Sequence, residues 1–76
     1  MRDLVSLLAR GLVREPGHVR VREHEDDGRR VLELSVAPGD RGRVIGRAGR
    51  TVAALRTLVG SLARRRGGSC AVEILD

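Results

Sequence analysis

Aromatic residues are missing from this chain: its 76 residues include no Phe, Tyr or Trp. That excludes modes of nucleic-acid recognition that stack bases on aromatic platforms, as RRM sheets and OB folds do. Cysteine is nearly missing. Cys70 alone cannot form an internal disulfide, and no Cys/His cluster at metal-ligand spacing accompanies it, so stability must come from packing. A reducing, cytoplasmic setting is expected. Long apolar runs are also missing. The N-terminal "MRDLVSLLARGLV" is interrupted by Asp3 and Arg10, and no small-residue cleavage site follows it. Neither a signal peptide nor a membrane span is expected, so no membrane partner is either. A chain this short buries only about 60 to 65% of its unfolded surface, which leaves no room for a large enzyme cleft. No nucleophile-base pair, metal set or cofactor motif is visible, so we expect neither an enzyme, nor a cofactor, nor a small-molecule substrate.

Lysine is the last absence, since all 15 basic residues are Arg. Arginine favours bidentate phosphate contacts, although codon bias in a GC-rich genome produces the same preference. The arginines are unevenly spread. Residues 40 to 66 hold eight Arg against one acid, Asp40, while the remainder holds seven Arg against nine acids. One stretch is thus +7 and the rest −2, against a net +5. A concentrated positive field points to a polyanion, most often nucleic acid, with solubility as the competing use.

Apolar spacing supplies the elements. Leu4, Leu7, Leu8 and Leu12 recur at helical intervals, with Asp3 placed to cap, and predict a helix over 3–14 that stops at "EPG". Such a helix can anchor to a membrane, but so small a domain needs it as core. Val19 and Val21, then Leu32, Leu34 and Val36, alternate with period two around "EDDGR", predicting a hairpin over 18–24 and 30–37. Pro38-Gly39 ends the hairpin, and Asp40 is placed as N-cap of a short helix through Val44 and Ile45. Val52, Leu55, Leu58, Val59 and Leu62 predict a further helix to about Arg65, stopped by Gly67-Gly68, with Gly60 inside it at a suspected close helix contact. Cys70, Val72 and Ile74 predict a last strand over 69–75, with Cys70 as a small buried residue. His18 and His24 fall at the hairpin ends as ordinary surface residues. The helix pair between the second and third strands suits a crossover between parallel strands. The expectation is one α+β domain over 1–76, with order α-β-β-α-α-β and three helices on one face of a three-stranded mixed sheet.

Between the last two helices stands Gly46-Arg47-Ala48-Gly49. Glycines there serve either a sharp steric turn or the close approach of a phosphate to backbone N–H groups at a helix start, where the dipole also favours an anion. The flanking Arg43, Arg47 and Arg50 favour phosphate. A P-loop is excluded, because Val44 stands where its first glycine belongs and Arg50 where its lysine does. The dinucleotide fingerprint is absent.

What remains, "GRVIGRAGRTVAALR" at 42–56, resembles the V-I-G-x-x-G signature of KH domains, and specifically the small bacterial single-KH proteins of the KhpA family. The derived element order is similar to the type II (prokaryotic) KH topology over essentially the whole chain. The resemblance implies single-stranded RNA held in a groove of about four nucleotides, with the G-x-x-G loop against its backbone. On that basis Gly46 and Gly49 admit phosphates and Arg47 and Ala48 form the loop tip, where many relatives carry a longer polar residue than Ala48. Ile45 and Val44 line the floor of the groove or pack into the core, helix geometry not letting both do both; Ile45 toward the groove with Val44 inward is favoured, and Arg43 and Arg50 flank the groove. Arg64, Arg65 and Arg66 fall in the variable loop, as a far jaw of the groove or as charge favoured by the helix end. The resemblance further implies an RNA chaperone acting with a second KH-containing protein of the KhpB (Jag-like) type, or as a homodimer, in cell-envelope homeostasis and cell-length control. A dimerising module in which RNA is secondary is the alternative.

Overall fold

The N-terminal leucine pattern folds into helix α1, Arg2–Leu12, in a computed structural model that describes residues 1–75. Asp76, the last residue of the expected domain, lies outside the described residues. The buried line of α1 is Val5 and Ala9, whereas Leu7 is 67% exposed. The expected leucine stripe is therefore not the inner face; the helix is turned from it by about one residue step, roughly 100°. Compact Val5 and Ala9 let the helix axis approach the sheet more closely than a line of leucines would, and Leu8 and Val13 fill the flanks. Asp3 does not cap the helix: Met1 is the N-cap residue and no side chain serves the first turn.

A 3₁₀ turn at Pro16–His18 follows, closed by the Val19 N–H on the Pro16 carbonyl. That turn delays strand β1 to Arg20–Asp26, two residues later than the alternation suggested. Strand β2, Arg29–Ser35, pairs with it antiparallel, from Arg20 opposite Ser35 to Asp26 opposite Arg29. Asp27 and Gly28 join them with φ of 57° and 76°, the two left-handed residues that match a tight hairpin to the strand twist. Strand β3, Cys70–Ile74, pairs parallel with β2, so the sheet is mixed in the order β1-β2-β3.

Between β2 and β3 run helix α2, Arg41–Ile45, and helix α3, Arg50–Arg65. One apolar cluster joins Val5 and Ala9 of α1, Val44 of α2, Leu55 and Val59 of α3, and Leu32, Leu34 and Val72 of the sheet. The architecture is α+β, a three-stranded mixed sheet with three helices on one face. Helix α3 buries Val52, Leu55, Val59 and Ala63, while Leu58 is 42% exposed. Gly60 marks no helix contact. A Cβ there would meet only the Arg64 guanidinium, at 3.4 Å, because the expected neighbouring helix lies on another side of α3. Cys70 is half-buried rather than enclosed, and that partial burial raises its thiol pKa. His18 and His24 are exposed, with His24 Nε2 3.3 Å from Glu33 Oε2 on the neighbouring strand.

Candidate nucleic-acid interface

Helix α2 has five residues, too few to persist alone, so its neighbours must hold it in place. Val44 is one anchor, fully buried in the core. Ile45, next on the helix, is only partly covered and remains available at the surface. The second anchor is Asp40, 2% exposed and the one charged side chain buried among the described residues. It occupies the expected N-cap position, yet its carboxylate does not cap α2. Its two oxygens instead accept the backbone N–H groups of Arg14 and Glu15, each at 3.0 Å. The expected local cap gives way to a link across 25 residues, because the segment after α1 presents two otherwise orphaned donors to one buried carboxylate.

The Asp40 pKa lies below its ordinary value. The Arg14 N–H is the largest cause, opposed by desolvation and assisted by the Glu15 N–H and the charges of Arg43 and Arg14. Arg43 Nε stands 3.5 Å from Asp40 Oδ1, so this predicted contact residue is oriented by the same carboxylate while remaining about half-exposed.

The two glycines of the loop have different reasons to be glycine. Gly46 has φ 78°, and a Cβ there would collide with the Thr51 side chain and lie 2.9 Å from the Thr51 backbone nitrogen. Its role is steric. Gly49 has φ 75°, but a Cβ there would meet nothing within 4 Å, so the space beside it is open. Between them Ala48 holds φ 56° and ψ 25°, a left-handed conformation that costs a residue with a Cβ roughly 1 to 2 kcal/mol. The turn is closed by the Gly46 N–H on the Gly42 carbonyl (2.8 Å) and the Gly49 N–H on the Gly46 carbonyl (3.1 Å). Neither bond uses the N–H groups of Arg47 and Ala48, and no side chain caps α3 at Gly49. Consecutive right- and left-handed residues aim such N–H groups into a concavity suited to an anion.

The side chains of Arg47 and Arg50 are exposed, with no hydrogen bond or ion pair among the described residues. Arg43, Ile45, Gly46, Arg47, Ala48, Gly49 and Arg50 thus come together on one turn. Arg64, Arg65 and Arg66 do not join them. They stand at the other end of the 16-residue helix α3, about 24 Å away by helix rise. Arg66 borders a surface hollow of about 320 Å³ shared with Glu25, Arg30 and Cys70, where the acidic hairpin meets the end of α3. A larger hollow, about 460 Å³, lies beside Met1, Arg2, Asp3 and Glu23, and neither hollow includes a residue of the glycine loop. Sequence reasoning missed Thr51, whose position requires Gly46, and the link from Asp40 to residues 14 and 15. Only the charge of Asp40 amid eight arginines signalled that it is unusual.

Two helices joined through a Gly-x-x-Gly turn, lying on a mixed three-stranded sheet in this element order, define a KH domain. The profile of the KhpA/KhpB KH-domain family matches residues 2–74, and the chain belongs to that family. It is 43% identical over 76 residues to a protein of Halalkalibacterium halodurans named RNA-binding protein KhpA, all of both chains being covered. A protein of the same name from Treponema pallidum is 42% identical over 97% of this chain and 92% of its own. Another, from Aquifex aeolicus, is 41% identical over 100% of this chain and 96% of its own. No solved structure matches the chain.

Proposed function

We propose that residues 1–76 act as one KH domain that holds single-stranded RNA, without catalysis and without a cofactor or small-molecule substrate. The observation that carries this is the loop itself. Gly49 leaves open space beside Arg47 and Arg50, two arginines without a partner among the described residues, at the uncapped start of α3. Phosphates approach that turn, Arg43 and Arg50 flank them, and the exposed part of Ile45 offers an apolar surface to the bases. The names of the relatives support RNA as the ligand. A groove that grips phosphates also admits DNA, and the 2′-hydroxyl separates the two.

Replacing Arg47 and Ala48 together by Asp tests this reading. Gly46 and Gly49 keep the bend, while the loop charge changes by about three units. Like charges near 5 Å cost on the order of 1 to 3 kcal/mol each at intermediate dielectric, so RNA affinity is expected to fall about tenfold to hundredfold. Circular dichroism is expected to match the parent. A folded double variant that binds a labelled RNA as the parent does reduces the loop to a turn.

A second reading has its own observation. Leu7 and Leu58 are 67% and 42% exposed on two different helices, apolar surface that a second chain covers well. One domain gripping about four nucleotides binds weakly, and pairing raises avidity by effective concentration. The partner in this reading is a second copy or a KH-containing protein of the KhpB (Jag-like) type. Family resemblance supports the wider assignment: a cytoplasmic RNA chaperone serving cell-envelope homeostasis and cell-length control. Among the described residues no helix is long and apolar enough to cross a membrane. Light scattering with and without RNA separates the readings, since a stable dimer indifferent to RNA favours the module.

A further inference from the structure

Helix α2 packs on α3 at its glycine-loop end, and Asp40 ties down the opposite end. A rigid rod pinned at one point turns about that point; pinned at two, it has a fixed direction. Helix α2 has one buried apolar anchor, Val44, and one polar anchor, the Asp40 carboxylate on the Arg14 and Glu15 N–H groups. The glycine loop starts at the far end of α2, where the Gly46 N–H closes on the Gly42 carbonyl. The direction of α2 therefore sets where the Arg47 and Ala48 N–H groups point. The same carboxylate also stands 3.5 Å from Nε of Arg43, whose side chain remains about half-exposed. We propose that Asp40 is a positioning residue for RNA binding: it orients α2, and with it the glycine loop and Arg43, without touching RNA.

Simple electrostatics predicts the opposite sign. A carboxylate at a phosphate site repels the ligand, so neutralising it strengthens binding unless its structural effect dominates. Asp40→Asn keeps the side-chain shape but sets an amide N–H₂ against one of the two backbone donors, breaking half of the tie. The experiment measures the affinity of Asp40→Asn for a labelled single-stranded RNA of about twelve nucleotides at fixed salt, well below the melting temperature. The expected result is about a tenfold loss, the size of one forfeited charge-assisted phosphate contact. Arg43→Gln is expected to weaken the parent several-fold, yet to cost less than about twofold more in the Asp40→Asn background, because the two act through one arrangement.

Should Asp40→Asn fail to fold, Asp40→Glu preserves the charge and displaces the carboxylate by one methylene. Electrostatics then predicts no change, whereas positioning predicts several-fold weaker binding. Folded Asp40→Asn or Asp40→Glu that binds as tightly as the parent, or more tightly, overturns the proposal. The inference rests on the RNA-binding reading, and the parent separates the two: a parent that binds no RNA ends both, while equal binding by parent and variant ends this one alone.

Discussion

Gly60 sits in the middle of α3 with no structural demand on it. Its φ is not in the left-handed region, and an added Cβ meets only the mobile end of Arg64 at 3.4 Å. Glycine inside a helix costs about 0.5 to 1 kcal/mol relative to alanine, largely through the entropy of the unfolded chain. Gly60→Ala is therefore expected to stabilise the protein by about that amount. In a domain of this size that raises the melting temperature by roughly 2 to 8 °C, read by circular dichroism because no Trp or Tyr reports on folding. Asp40 makes the reverse case, a residue whose environment accounts for its identity. Its folded pKa is depressed below the ordinary 3.8, so its contribution to stability is complete above that value and disappears as pH falls through the lower folded one. Melts between about pH 5 and pH 2.5 are expected to show the parent's advantage over Asp40→Asn shrinking on acidification, most steeply below about pH 4.

At the scale of elements, α3 organises the molecule by its length. Its first turn adjoins the glycine loop, and its last turn carries Arg64 and Arg65, with Ala63 and Arg66 bordering the hollow shared with Glu25 and Gly28 of the hairpin tip. An RNA that touches both ends must follow about 24 Å of helix. Replacing Arg64, Arg65 and Arg66 by Ser is expected to weaken a twelve-nucleotide RNA several-fold, to weaken a four-nucleotide RNA less, and to leave the melting temperature nearly unchanged. Stability lower by about 0.3 to 1 kcal/mol per residue, with affinity unmoved, identifies these arginines as helix-end charge instead. Paired thermal melts and RNA titrations distinguish the outcomes. Helix α2 is governed differently, since its five residues have no autonomy and take their direction from Val44 and Asp40.

For the whole molecule, charge separation matters more than net charge. The fold extends 35 Å along its longest axis, with the glycine loop and the acidic hairpin tip at opposite ends of α3. At physiological salt the Debye length is about 8 Å, so the acidic end hardly weakens the field at the loop. With no aromatic side chain to stack on bases, the proposed binding rests on phosphate neutralisation. The slope of log K against log salt is expected near −2, about −0.7 for each of three phosphates. Titrations between low and moderate salt measure it, and an affinity indifferent to salt contradicts the mechanism.

Periodicity and glycine chemistry determined a good deal by themselves. The alternation of Leu32 with Leu34 and the helical spacing of Val52, Leu55 and Val59 are local properties, written along the chain, and they yielded the element order and the turn that joins α2 to α3. For Val44 and Ile45 the sequence left groove and core open to both, with Val44 favoured inward, and the core takes Val44. Local pattern does not decide how far an element rotates about its own axis, and α1 buries Val5 and Ala9 rather than its leucines because contact with the sheet selects the compact side. Nor does it decide which distant groups meet. Asp40 carries every local mark of a helix cap, and only folding brings it to the two backbone donors of residues 14 and 15, because its own carboxylate is buried and leaving that charge unpaired costs more than leaving α2 uncapped.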